Sequence, residues 1–273
     1  MKIWKNTNIL DKLLDPSFQF TDEPIDADIA LLGSKSIDTL FFTNLKGIFR
    51  VSATPNEALE FAAEADNIAI ESISEVVQSC MHDEVSSFAA YLILSSLYDN
   101  VGSVENWTKY PRKHLRDNKL LIVGGEGNIG YMLGEKMQDF MTVHSYDTSY
   151  SYAAPSAVLN SRLSTADIVT LHIPADGNTN FINAEKLSWM KDGATLINTA
   201  RAPIVSESAL WAELNSGRLK AVFDVMWEEP YNGRYLTLPK DVFRLTPHVA
   251  STNSKFTEQA YVEFKDFMRG LYE

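Results

Sequence analysis

At 273 residues, 45% of them hydrophobic and 22% charged, the chain exceeds what one hydrophobic core usually serves, so two globular domains are expected and long disorder is excluded. Its 24 Lys and Arg against 36 Asp and Glu leave a net charge of -12, a field that repels nucleic-acid phosphates and anionic membranes and argues against both as partners. The single cysteine, Cys80, has no internal disulfide partner, no signal-peptide run opens the chain, and the longest apolar stretch, residues 88–94, is far short of the roughly 20 that cross a bilayer, so a cytoplasmic protein is expected.

In chain order, apolar runs predict strands at residues 29–32, 48–51 and 68–71, with a helix over 56–65; this reads as a small α/β domain covering 1–82. A long helical stretch over 83–98 follows, and residues 83–99 are taken as a connecting helix. From residue 119 onward, apolar runs at 120–123, 141–146, 168–173, 194–198, 219–225 and 243–246 alternate with amphipathic stretches. That alternation predicts a parallel sheet with helices on both faces, in a second domain spanning 100–251. Two of its helices carry start and stop signals, Asn183 before a stop at Asp192-Gly193 and Ser206 before a stop at Gly217. A closing helix over 252–271 is expected to return, with the rest of 252–273, to the first domain.

The run 120–130 places Gly125, Gly127 and Gly130 in a GxGxxG spacing directly after an apolar strand and at the start of a helix. Gly125 is expected to permit the tight turn, Gly127 to let a pyrophosphate approach the backbone, and Gly130 to let helix and strand pack closely. Asn128 and Ile129 open a helix whose unpaired N–H groups can receive phosphate. About 20 residues on, the next strand ends at Asp147, an acid placed to accept hydrogen bonds from a ribose. It would repel a 2′-phosphate and no Arg or Lys follows it closely, so NAD is favoured over NADP. His172, Ile173 and Pro174, at the next strand end, are expected to line the same pocket. No metal site is assigned.

Ligands of open parallel sheets bind beyond the carboxyl ends of the strands. There the sequence places Thr199-Ala200-Arg201, then Glu228 and Glu229 before Pro230, then Pro247-His248. An isolated Arg, Glu or His at a strand end is ordinarily solvated or structural; three together on a sheet carrying a dinucleotide turn form a chemical set. A guanidinium binds a 2-keto acid's carboxylate through paired hydrogen bonds and polarises its carbonyl. An imidazole exchanges a proton with the carbonyl oxygen, and a carboxylate beside it fixes the ring and favours its protonated form. His82, His114 and His144 have no such partners and read as structural.

Four runs carry a resemblance: Ala166-Asp167-Ile168-Val169-Thr170-Leu171-His172-Ile173-Pro174, the stretch from Met190 to Arg201, Asp224-Val225-Met226-Trp227-Glu228-Glu229-Pro230, and Leu245-Thr246-Pro247-His248-Val249-Ala250-Ser251. Through them the chain resembles the D-isomer-specific 2-hydroxyacid dehydrogenases. The resemblance implies a doubly wound Rossmann cofactor domain with a smaller flavodoxin-like substrate domain, and a homodimer built through the cofactor domain. It implies Arg201 as the substrate-binding arginine, Glu229 as partner of the histidine, His248 as acid/base, and Asp224 as an acid near the nicotinamide carboxamide. The implied activity is hydride transfer between NAD and a small 2-hydroxy or 2-keto acid. A non-catalytic relative, either NAD-binding and regulatory or degenerate, is the alternative.

Two departures bear on the substrate. The first domain is shorter than usual in the family, and its glycine-rich substrate loop is replaced by Arg50-Val51-Ser52-Ala53-Thr54-Pro55. Ser52 and Ala53 are expected to offer backbone N–H groups to the carboxylate when the domains close, with residues 50–54 as the far wall. Arg50 either selects a second anionic group or is solvated on its strand. Ala202 replaces the glycine that usually follows the arginine.

Overall fold

Strands and helices alternate along the residues that the computed structural model describes: 1–33, 44–52, 57–147 and 156–271. They are β1 (Lys2–Lys5), β2 (Gln19–Phe20), β3 (Ile29–Leu32), β4 (Gly47–Arg50), α1 (Glu57–Ala65), β5 (Ala69–Ser72), α2 (Glu75–Leu97), β6 (Gly102–Ser103), β7 (Thr108–Lys109), β8 (Lys119–Val123) and α3 (Asn128–Met137). The chain continues through β9 (Thr142–Tyr146), α4 (Ser156–Leu163), β10 (Ile168–Leu171), α5 (Ala184–Trp189), β11 (Thr195–Asn198), α6 (Glu207–Asn215), β12 (Lys220–Phe223), β13 (Phe243–Leu245) and α7 (Ser254–Gly270). Two compact units result, one of Met1–Met81 with Thr252–Glu273 and one of His82–Ser251.

In the first unit five parallel strands stand in the order β2-β1-β3-β4-β5, the flavodoxin-like order. β3 is buried along its whole length because both faces are covered. Ile29 and Leu31 pack with Phe49 against Phe256, Phe264 and Phe267 of α7. Ala30 and Leu32 pack with Ile48 against Leu59 and Ala63 of α1. The α7 side chains recur at helical spacing, so a single stripe covers the sheet. Neither β1 nor β2 is anticipated from sequence: of the four β1 residues only Ile3 is buried, and two exposed residues make β2.

The second unit holds six parallel strands in the order β13-β12-β11-β10-β8-β9. Leu121, Val123, Val169, Leu171, Leu196 and Phe223 face a core shared with Leu187 of α5 and with Leu210 and Leu214 of α6. The alternate residues Leu120, Ile122, Ile168, Ile197 and Val222 face Ala89, Leu92 and Ile93 of α2 and Leu133 and Met137 of α3. The chain winds outward from β8 to β9, then crosses back to β10 and continues the other way. The gap between β8 and β10 is therefore the topological switch point, where doubly wound sheets bind ligands.

Several local expectations change. α2 begins at Glu75 rather than near residue 83, because Ser74 starts it: its hydroxyl accepts the Val77 N–H at 3.4 Å, and its own N–H donates to Glu263 of α7 at 2.9 Å. Asp83 and Glu84, which resemble a helix start in sequence, lie in mid-helix. Asn183 caps α5 as anticipated, its Oδ1 accepting the Lys186 N–H at 3.0 Å, whereas Ser206 stands at the start of α6 with no capping hydrogen bond from its side chain. The expected helix start at Asn56 lies outside the described residues. No described helix is long and apolar enough to cross a membrane.

Candidate active site

The glycine turn leaves β8 beside the switch point. Its left-handed residue is Gly124, with φ +93°, and not Gly125 as the spacing led us to expect; a Cβ on Gly124 would lie 2.4 Å from the His172 carbonyl oxygen. Gly125 is required instead by Ser145 of β9, whose Cβ would stand 2.3 Å from a side chain there. At Gly130 a Cβ would come within 2.1 Å of the Gly124 oxygen, so this glycine does allow the close approach of α3 to the turn. Gly127 immediately precedes α3, and a Cβ on it would meet nothing nearer than 3.5 Å. Asn128 and Ile129 form the first turn of α3.

Asp147 is buried just past β9, and its Oδ2 accepts the Glu126 N–H at 3.2 Å, so the acid and the glycine turn brace each other. At the end of β10 the His172 ring contacts Thr170 Oγ1 at 3.0 Å, and desolvation pushes its pKa down to about 4. Ile173 beside it is buried and Pro174 is exposed. Because the unfolded imidazole binds its proton more readily, the stability His172 contributes is intact above the ordinary histidine value of 6.5 and is lost as pH falls towards about 4. His172→Gln is expected to flatten the pH dependence of the unfolding free energy across that window, measured by denaturant titration. A variant with the parental slope would contradict this.

Arg201 follows β11. Asn198 brackets its loop: Oδ1 accepts the Ala200 N–H at 3.0 Å and Nδ2 donates to the Arg201 carbonyl at 2.9 Å. The Arg201 guanidinium donates to the Ala200 carbonyl at 2.7 Å; burial lowers its pKa and the nearby Glu229 charge opposes that shift. Thr199 is buried, and its hydroxyl has no hydrogen-bond partner among the described residues.

Glu229 and His248 come from the ends of β12 and β13. Glu229 Oε1 accepts the Met226 N–H at 3.0 Å, and Oε2 stands 2.8 Å from His248 Nδ1. Glu228, the other acid the sequence offered, is exposed. Trp227, immediately before them, packs on Phe223 and Tyr235 at centroid distances of 6.0 and 5.7 Å, which stiffens the turn. A carboxylate on Nδ1 assigns the ring proton to that nitrogen and leaves Nε2 to exchange protons. Asp224, buried after β12, has both carboxylate oxygens bonded within residues 246–250.

In the other unit Arg50 is buried on β4, neither solvated nor unpartnered: Nη1 contacts Glu60 Oε1 at 3.0 Å, and burial lowers its pKa against the pull of Glu60. Ser52 is buried as well. Ala53, Thr54 and Pro55 lie outside the described residues. Gly124 and Asn198 were not singled out in the sequence. A buried Asn ending an apolar strand is the signal that could have drawn attention to Asn198, since it must satisfy its own amide.

The donors around the switch point fit a dinucleotide. The leading N–H groups of α3 have no intrahelical partners by geometry, the space over Gly127 is open, the Asp147 carboxylate is adjacent, and at the next strand end but one the buried Thr199 hydroxyl lacks a partner among the described residues.

Known proteins share this fold. A D-lactate dehydrogenase from Aquifex aeolicus, solved with NAD and lactic acid, superposes with a TM-score of 0.76 at 21% identity, covering 99% of this chain and 96% of that one. An NADPH-dependent glyoxylate/hydroxypyruvate reductase from Sinorhizobium meliloti superposes with a TM-score of 0.73 at 19% identity, covering 100% and 95%. In sequence, a hydroxypyruvate reductase from Blautia hydrogenotrophica is 30% identical over 173 residues, 59% of this chain and 53% of that protein. The chain thus spans about half the length of the curated relatives it matches. The sequence profile of the D-isomer specific 2-hydroxyacid dehydrogenase NAD binding domain matches residues 94–250. Because that match runs from the glycine turn through Arg201 and Glu229 to His248, the chain belongs to the D-isomer specific 2-hydroxyacid dehydrogenase family.

Proposed function

We propose that the protein is an NAD-dependent 2-hydroxyacid dehydrogenase that reduces a small 2-keto acid, with Arg201, Glu229 and His248 as its catalytic residues. The observation that carries this reading is the 2.8 Å contact of Glu229 with His248 Nδ1, on the same strand-end rim as Arg201. Arg201 binds the substrate carboxylate and polarises the adjacent carbonyl. His248 delivers a proton from Nε2 to the carbonyl oxygen, and Glu229 holds the ring through Nδ1. A dinucleotide held by the glycine turn and Asp147 would supply the hydride. Binding NAD requires none of the three catalytic residues, so their presence together favours an enzyme over a regulatory NAD-binding relative.

Oxidation of NADH with a panel of pyruvate, glyoxylate and hydroxypyruvate tests the reading; no turnover with any small 2-keto acid would overturn it. The cofactor preference rests on Asp147, whose carboxylate would repel a 2′-phosphate. NADH is expected to be favoured over NADPH, and Asp147→Ala to narrow the preference, measured as the ratio of kcat/KM values. Equal use of both cofactors by the parent protein would defeat this part.

We assign the active form as a homodimer. Val104 and Trp107 on the β6–β7 hairpin are 83% and 81% exposed, and a groove of about 580 Å³ lined by Ala90, Tyr91, Leu94 and Tyr98 opens in the same unit. Exposed apolar surface of this kind is characteristic of a partner-binding face. Light scattering should give twice the chain mass, and Trp107→Glu should halve it; a parent protein of single-chain mass would rule the dimer out.

A further inference from the structure

We infer that Asp224 is a positioning residue for His248, one that sets the imidazole through the backbone of its loop; the inference rests on the proposed role of His248. His248 has φ +53°, a conformation that a non-glycine residue seldom adopts. Its N–H donates to the Thr246 carbonyl at 3.0 Å across Pro247, which turns the next two N–H groups inward. Both end on one carboxylate: Val249 N–H reaches Asp224 Oδ1 at 3.0 Å and Ala250 N–H reaches Oδ2 at 2.8 Å. The Thr246 hydroxyl donates to Oδ1 as well, so both sides of His248 are tied to the same group. Asp224 is only 1% exposed, and its own N–H donates to the Asn198 carbonyl at 2.9 Å, which anchors the clamp to β11.

A buried anion filling a concave pair of backbone N–H groups holds them in place. The clamp stabilises the left-handed backbone at His248, and that backbone directs Nδ1 to Glu229. With three donors from one loop on its two oxygens, Asp224 acts on the reaction through His248.

The test uses the whole protein with NADH and hydroxypyruvate. Asp224→Asn replaces one acceptor oxygen with an amide NH2 donor that opposes a backbone N–H. We expect kcat to fall about 100-fold, within the range general acid–base catalysis contributes, while NADH affinity, read by protein fluorescence, stays within about two-fold. In a His248→Gln background the same substitution should cause no further loss, because it acts only through the missing imidazole. Thr246→Val, which removes one donor and keeps the carboxylate, should lower kcat by about ten-fold and decides the matter if Asp224→Asn does not fold. A large loss of NADH affinity with kcat preserved, or full additivity with His248→Gln, would overturn the inference. Full activity in both Asp224→Asn and Thr246→Val, with His248→Gln inactive, would sink the clamp alone. Full activity in His248→Gln would sink the proposed function and the clamp together.

Discussion

His248→Gln is expected to lower kcat for keto-acid reduction by about 10³-fold while leaving NADH affinity nearly unchanged. Glutamine keeps a hydrogen-bonding amide of similar reach and removes the titratable nitrogen, so the loss isolates proton transfer, which contributes about 10²–10⁴-fold where a side chain performs it. Glu229→Gln should have a smaller effect on kcat. The carboxylate oxygen stands 2.8 Å from Nδ1 and holds the ring. Without that acceptor, kcat should fall while NADH affinity holds. Unchanged turnover in Glu229→Gln would remove the carboxylate from this role, and unchanged turnover in His248→Gln would exclude the imidazole as the acid.

Arg201→Lys is expected to raise KM for the keto acid by about 10- to 100-fold, the size of a lost charge-assisted hydrogen bond. Two effects combine. Lysine lacks the planar fork that engages both carboxylate oxygens, and it would occupy a site whose burial already lowers the pKa of the arginine. A guanidinium remains cationic under that pressure, whereas an ammonium is far closer to losing its charge. NADH affinity should be little affected, so the two binding measurements separate. Kinetics identical to the parent protein would place the carboxylate elsewhere.

The parallel sheet of the second unit was legible because a strand buried on both faces must be apolar almost throughout: residues 120–123 are so at every position, and 168–171 depart only at Thr170. The glycine spacing was legible for a similar reason: only glycine tolerates the approach at Gly130. Its tight-turn residue was assigned one position late, because what leaves no room for a side chain at Gly124 is the His172 carbonyl, far along the chain. β1 and β2 carry too few buried residues to register as strands, and they exist through the pairing that β3 offers β1. The start of α2 was misread because its anchor, Glu263, lies 189 positions from Ser74.

The sequence alone determined the fold class, the strand ends from which Arg201, Glu229 and His248 emerge, and the family, since each is encoded in local runs and motifs. The motif around Glu229-Pro230 also singled out Glu229 over its neighbour Glu228, and the fold brings its Oε2 to 2.8 Å from His248 Nδ1. Tertiary structure decided that Arg50 is buried beside Glu60 and that Asp224 grips the loop carrying His248. Those two outcomes depend on donors and acceptors that folding brings together from separate positions, so no local pattern could disclose them.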